Sequence, residues 1–271
     1  MRKLTAAIGI LFLLLSAGSI SAQNSAKDII AEYGYIGSFA VLDLQKGEFQ
    51  YINKERCSER FLPASTYKIP NAIIALETGV ATGKDFTLKW DGVKRSFEAH
   101  NQDQTLQTAM KYSALWYFQE LARRIGKETS QKYLNDFQYG NMKIGDAVDM
   151  YWVDGSLQIS QLEQIEFLRK LYQNELKVSE RTTEIVKEIT TLEEDKETGF
   201  RLMAKTGWGN FNDLNYGWFV GICEYNGRTA VFALNIETAD PVPGTFLQDR
   251  IVMSKKILSD LNYYPKDKLS K

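Results

Sequence analysis

Histidine is almost missing from this chain of 271 residues: His100 is the only one. A His-rich metal site is excluded, and a Ser-His-Asp triad would have to be built on that single residue. No G-x-S-x-G elbow surrounds any serine. His100, in Phe97-Glu-Ala-His-Asn-Gln, reads as a solvated loop histidine. Two cysteines, Cys57 and Cys223, make neither a zinc cluster nor a disulfide scaffold. Five prolines leave little room for a Pro-rich linker. The net charge is −1, so there is no basic field to hold nucleic acid. What is present is ordinary: 44% hydrophobic, 12% aromatic and 25% charged residues, enough apolar surface for a core and too much for a disordered chain.

The first 22 residues read as an address. Met1-Arg2-Lys3 is positive, Leu4 to Ala17 is apolar apart from Thr5 and Ser16, and Gly18, Ser19, Ser21 and Ala22 are small. This is the three-part pattern of a secretory signal, with cleavage after Ser21 or Ala22. The apolar run falls short of the ~20 residues a spanning helix needs. No cysteine at the cleavage site argues against a lipid anchor. The expected organisation is a signal peptide over 1–22 and one catalytic domain over 23–271, periplasmic or secreted, with no stable membrane anchor. An oxidising compartment permits a Cys57–Cys223 bond, but two buried free thiols are the expectation.

Along the mature chain, Gly37 to Leu44 reads as a buried strand, followed by a Lys46-Gly47 turn and a strand from Phe49 to Ile52. Apolar spacing after Pro63 predicts a helix ending at Gly79. Leu106–Ile125 and Ser130–Phe137 read as helices. Ser160 with Glu163 forms a capping box that opens a helix to about Gln173. Glu180–Glu197 reads as a charged outer helix, and Arg201–Lys205 as a strand. Trp218–Glu224 and Thr229–Ile236 read as strands joined by an Asn226-Gly227 hairpin turn. Leu247–Leu261 closes the chain as a helix. Strands at both ends and helices between them predict an α+β fold: an antiparallel sheet built from both chain ends, flanked by helices, with a helical insert.

Two segments carry chemistry. In Pro63-Ala-Ser65-Thr-Tyr-Lys68, a serine sits where a loop becomes a helix, and Lys68 follows one turn later on the same face. The free backbone N–H groups of a helix start favour a developing oxyanion. Lys68 can act as a base only if it is not protonated, which requires a dry pocket or chemical modification. The second segment is Lys205-Thr206-Gly207 on a strand. A cation and a hydroxyl there suit an anionic group, and the glycine would let a substrate backbone come close. Each segment alone is weak. S-x-x-K early and K-T-G late is the pattern of penicillin-recognising serine enzymes. Ser113-Ala-Leu115 is the intervening element.

Pro63-Ala-Ser-Thr-Tyr-Lys-Ile-Pro-Asn-Ala72 closely resembles the active-site segment of class D (oxacillinase-type) serine β-lactamases. Tyr139-Gly-Asn141, Trp152 in Tyr-Trp-Val-Asp-Gly-Ser, Lys205-Thr-Gly207 and Trp218-Phe-Val-Gly221 follow in the family's order. The resemblance implies the serine β-lactamase/penicillin-binding transpeptidase fold and hydrolysis of the β-lactam amide bond through a Ser65 acyl-enzyme, conferring antibiotic resistance. It implies that Lys68 is carboxylated by CO₂ or bicarbonate to N6-carboxylysine and acts as general base. No other cofactor and no metal is implied. Trp152 would donate its indole N–H to the carbamate. Ser113 would relay a proton to the leaving nitrogen. Lys205, Thr206 and Arg250 would bind the substrate carboxylate, and the N–H groups of Ser65 and Trp208 would form the oxyanion hole. Tyr139 and Asn141 are structural in this reading. Dimers occur in the family, so a homodimer is compatible with it; the partner is a small β-lactam.

Leu115 departs from the family's usual valine, at a position that packs near the modified lysine. A class A reading fails, because Gln131-Lys-Tyr-Leu-Asn135 lacks the deacylating carboxylate and Leu115 replaces the asparagine of Ser-Asp-Asn. Two alternatives share the motifs: a β-lactam-sensing domain that acylates without turnover, and a DD-peptidase.

Overall fold

The computed structural model describes residues 29–269; the predicted signal peptide, residues 1–22, lies outside them. β1 (Ile36–Asp43) and β2 (Glu48–Ile52) open the fold. A 3₁₀ turn (Ala64–Tyr67) leads into α1 (Lys68–Glu77). Two short strands, β3 (Thr87–Leu88) and β4 (Gln104–Thr105), precede α2 (Leu106–Tyr112), α3 (Leu115–Ile125) and α4 (Lys127–Phe137). After α5 (Gln161–Tyr172) and α6 (Glu180–Thr190) come β5 (Thr191–Asp195), β6 (Phe200–Phe211), β7 (Leu214–Tyr225) and β8 (Arg228–Ala239), then α7 (Phe246–Asp260). Six strands form one antiparallel sheet in the order β2-β1-β8-β7-β6-β5. Both chain ends contribute to the sheet, as the pattern predicts, and the structure adds that β1 pairs directly with β8.

Both faces of the sheet are covered, which explains why its central strands are apolar at nearly every position. Successive side chains point to opposite faces. Ala40, Leu42, Val220, Ile222, Val231 and Ala233 join the core shared with α1, α3 and α5. Phe39, Val41, Phe219, Phe232, Leu234 and Ile236 join a second core under α7. Cys57 and Cys223 are buried, unbonded thiols. Among the described residues no helix is long and apolar enough to cross a membrane.

Three sequence expectations are revised. Leu106–Ile125 is not continuous: Ser113 takes a left-handed conformation (φ 59°), and Ala114 N–H closes α2 on Ala109 C=O. The apolar spacing runs through this break, so periodicity alone conceals it. The helix from Glu180 ends at Thr190, and Thr191–Asp195 is an edge strand on β6. Pairing with β6 overrides the helical reading there. β6 runs on to Phe211, because β7 pairs along its whole length through a tight Asn212-Asp213 turn with both residues at positive φ. The Asn226-Gly227 turn also has positive φ at both residues, as a two-residue hairpin requires. The Ser160/Glu163 capping box is formed on both sides.

β5 pairs with β6 only as far as Met203. Among the described residues, no strand neighbours that edge of β6 from Lys205 to Phe211, and the site is built against it.

Candidate active site

Ser65 lies in the 3₁₀ turn, and α1 begins at Lys68. A 3₁₀ turn has three residues per turn, so side chains three apart eclipse one another. Lys68 Nζ accordingly donates to Ser65 Oγ at 2.8 Å. The residue before the serine, Ala64, is buried and held at φ 47°, a conformation that costs a non-glycine residue about 1 kcal/mol or more. Its N–H is tied to the Trp152 carbonyl at 3.0 Å, which locks the Ser65 segment to the loop carrying Trp152.

A second serine–lysine pair faces the first. The helix interruption between α2 and α3 presents Ser113, whose Oγ accepts from Lys205 Nζ at 2.9 Å; Lys205 also reaches the Thr206 carbonyl at 3.0 Å. Arg250, on α7, donates through Nη1 to the Gly207 carbonyl, while its Nε is buried without a partner. A cleft of about 280 Å³ is walled by Ser65, Ser113, Thr206, Trp208 and Arg250. Lys68 and Lys205 lie beneath it. Trp152 lies outside the cleft wall in a closed aromatic group, stacked on Tyr67 at 5.3 Å.

The electrostatics are unusual. Lys68, Lys205 and Arg250 are 1%, 5% and 7% exposed, and among the described residues none has a carboxylate within salt-bridge distance. Burial lowers the Lys68 ammonium from its ordinary value to about 7. Lys205 is pushed well below its usual range, first by burial and then by the charges of Lys68 and Arg250. Burial lowers Arg250 to about 10. Trp152 Nε1 is fully buried and donates to nothing. A buried N–H left unpaired costs ~1–3 kcal/mol. The site therefore gathers three buried basic side chains and an idle donor, with no carboxylate partner among the described residues.

Structural residues hold this arrangement. Asn141 N–H donates to the Gln158 carbonyl at 2.8 Å, and its side chain spans Ser156 O and Gln158 N. Gly140 between Tyr139 and Asn141 sits at φ 57°, where a Cβ would fall 2.1 Å from Gln158 O. Phe61 and Ile159 exchange two backbone hydrogen bonds, pinning the other end of the Trp152 loop. Tyr139 is fully buried against Tyr67 and Phe167.

A Cβ on Gly207 would meet Pro63 O at 3.0 Å and Thr66 Cγ2 at 3.1 Å, so this glycine lets the Ser65 segment pack closely on β6. His100 is not a free loop histidine: it is half-buried, lines the cleft, and places Nε2 2.8 Å from the Tyr112 carbonyl. The Phe118 ring lies beside Lys68, with its centroid 5.5 Å from Nζ. Leu115 is half-buried against the same core. The sequence reading missed Phe97, Lys111, Tyr112 and Leu247 on the cleft wall. Lys111 and Tyr112 directly precede Ser113, and Leu247 lies one turn before Arg250, so a search outward from the motif residues finds three of the four.

Comparison with known proteins agrees with this geometry. Residues 31–261 match the penicillin binding protein transpeptidase domain. Over 185 residues the chain is 44% identical to β-lactamase OXA-48 of Klebsiella pneumoniae, covering 68% of this chain and 69% of that one. It is 38% identical over 230 residues to the regulatory protein BlaR1 of Bacillus licheniformis, covering 84% of this chain and 37% of that one. The crystal structure of a class D β-lactamase from Sebaldella termitidis superposes with a TM-score of 0.86 at 36% identity, covering 89% of this chain and 97% of that one. With its paired serine–lysine sets on a transpeptidase-type sheet, the chain belongs to the class D serine β-lactamases, within the penicillin binding protein transpeptidase family.

Proposed function

We propose that this chain hydrolyses the β-lactam amide of penicillin-type antibiotics through a Ser65 acyl-enzyme, and that carboxylated Lys68 is the general base. The observations that carry the Lys68 role are the buried cluster of Lys68, Lys205 and Arg250, without a carboxylate partner among the described residues, and the buried, unpartnered N–H of Trp152, whose ring stacks on Tyr67 next to Lys68 in sequence. An amine with a pKa of about 7 is substantially neutral at physiological pH. A neutral amine takes up CO₂ with loss of one proton, which turns the buried amine into an anion. The fit is chemical: the idle indole N–H gains an acceptor, and the repulsion that Lys68 imposes on Lys205 becomes attraction. The carboxylated amine supplies a base that an ammonium lacks.

In this reading Ser65 Oγ loses its proton to Lys68 and attacks the lactam carbonyl. The N–H groups of Ser65 and Trp208 stabilise the oxyanion. Ser113 passes a proton to the leaving ring nitrogen, and the ammonium of Lys205, 2.9 Å away, supports that transfer. Lys205, Thr206 and Arg250 hold the substrate carboxylate. Lys68 then activates the water that clears the acyl-enzyme. The mature protein acts in the periplasm or outside the cell after loss of residues 1–22.

The similarity to BlaR1 makes a sensor that acylates without turnover the second reading. Mass spectrometry after a brief exposure to penicillin separates the two. A Ser65 adduct that forms and clears supports hydrolysis; one stoichiometric adduct that persists supports the sensor. No adduct, or an adduct retained in Ser65→Ala, refutes both.

A further inference from the structure

Tyr67 immediately precedes Lys68, and Tyr151 immediately precedes Trp152. Although 84 residues separate them, their hydroxyls hydrogen-bond to each other inside the protein. Both are 1% exposed. Tyr67 lies flat on Trp152, with centroids 5.3 Å apart and planes 21° apart, and meets Tyr151 edge-on at 5.1 Å. Tyr151 meets Trp152 edge-on at 5.0 Å. Ring packing alone would be served equally by phenylalanine. A buried hydroxyl adds a desolvation cost unless it is paired, and what it gains here is a single directional contact. Burial and the neighbouring Tyr151 hold the Tyr67 hydroxyl well above the usual tyrosine range, so it stays neutral.

Stacked rings slide over one another at little cost, whereas a hydrogen bond fixes both distance and direction. We propose that the Tyr67–Tyr151 hydroxyl pair is a positioning device, which stops the Trp152 ring sliding on Tyr67 and thereby aims its idle N–H at the modified Lys68 amine. The inference rests on the carboxylated-Lys68 reading above. Tyr67 and Tyr151 act through Trp152 and are positioning residues.

The test compares the wild-type protein with Tyr67→Phe, Tyr151→Phe and the double variant. Carbamate occupancy is read by carbon-13 NMR against labelled bicarbonate, and thermal unfolding is measured in parallel. Each single variant strands the remaining hydroxyl, so both lower the melting point. The double variant strands nothing, and its melting point recovers toward wild type. The bicarbonate needed for half-occupancy rises roughly three- to tenfold in all three variants, about the worth of one lost hydrogen bond. In the double variant it stays high while stability recovers. A half-occupancy that recovers together with the melting point, or that equals wild type throughout, overturns the positioning role. If the wild-type protein itself shows no carbamate signal, the carboxylated-lysine reading falls first and takes this inference with it.

Discussion

Lys68 offers a titration with a calculable shape. Its amine is buried and, with no carboxylate partner, has a pKa of about 7 instead of the ordinary 10.5. Carboxylation of the neutral amine releases one proton, and carboxylation of the ammonium releases two. The dissolved CO₂ needed for half-occupancy therefore falls about tenfold per pH unit well above the lysine pKa and about a hundredfold per unit well below it. With the break at 7, half-saturating CO₂ changes about 13-fold between pH 8.5 and 7.5 and about 80-fold between pH 6.5 and 5.5. A lysine with an unshifted amine would give the steeper dependence across the whole range. The assay starts from decarboxylated enzyme, holds dissolved CO₂ rather than bicarbonate constant, and follows hydrolysis of a chromogenic cephalosporin. A hundredfold slope persisting to pH 8.5 means that Lys68 is not desolvated. Turnover independent of CO₂ at every pH would falsify the Lys68 assignment.

Four further outcomes are expected. Trp152→Phe keeps the stacked ring and removes the donor, so half-saturating bicarbonate rises roughly ten- to hundredfold, the worth of a hydrogen bond to a charged group; an unchanged requirement argues against the indole's role. Lys68→Ala slows both formation and clearance of the Ser65 adduct, and an adduct that clears at the wild-type rate contradicts the general-base reading. Without CO₂, wild-type stability rises with pH between about 7 and 10.5, because there the unfolded chain holds the proton that buried Lys68 has lost. The slope reaches up to about 1.4 kcal/mol per pH unit, and equal slopes in Lys68→Met and wild type would sink that attribution. Gly140→Ala sets a Cβ against Gln158 O and lowers the melting point by several degrees; an unaltered melting curve means that the Trp152 loop is not pinned there.

Much of this was readable in advance because local chemistry dictated it. Ser65 and Lys68 are three residues apart, so any helical turn brings them together. Asn226-Gly227 favours the positive φ of its hairpin, and Ser160 with Glu163 closes its own cap. Where the sequence reading erred, a long-range partner decided. The edge strand at Thr191 exists because β6 was there to pair with it, and Ser113 breaks a periodic helix to reach Lys205, 92 residues away.

By itself the sequence determined the closeness of Ser65 and Lys68, the strand and turn positions near the hairpin, and a sheet drawn from the two chain ends. Each follows from spacing or from the intrinsic preference of a few neighbouring residues. Only the tertiary structure decided that Lys68, Lys205 and Arg250 share a dry enclosure without a carboxylate, that Arg250 is buried on the Gly207 carbonyl, and that His100 faces the cleft. Those are properties of burial. Burial depends on which distant segments exclude water, and that information belongs to no short stretch of the chain.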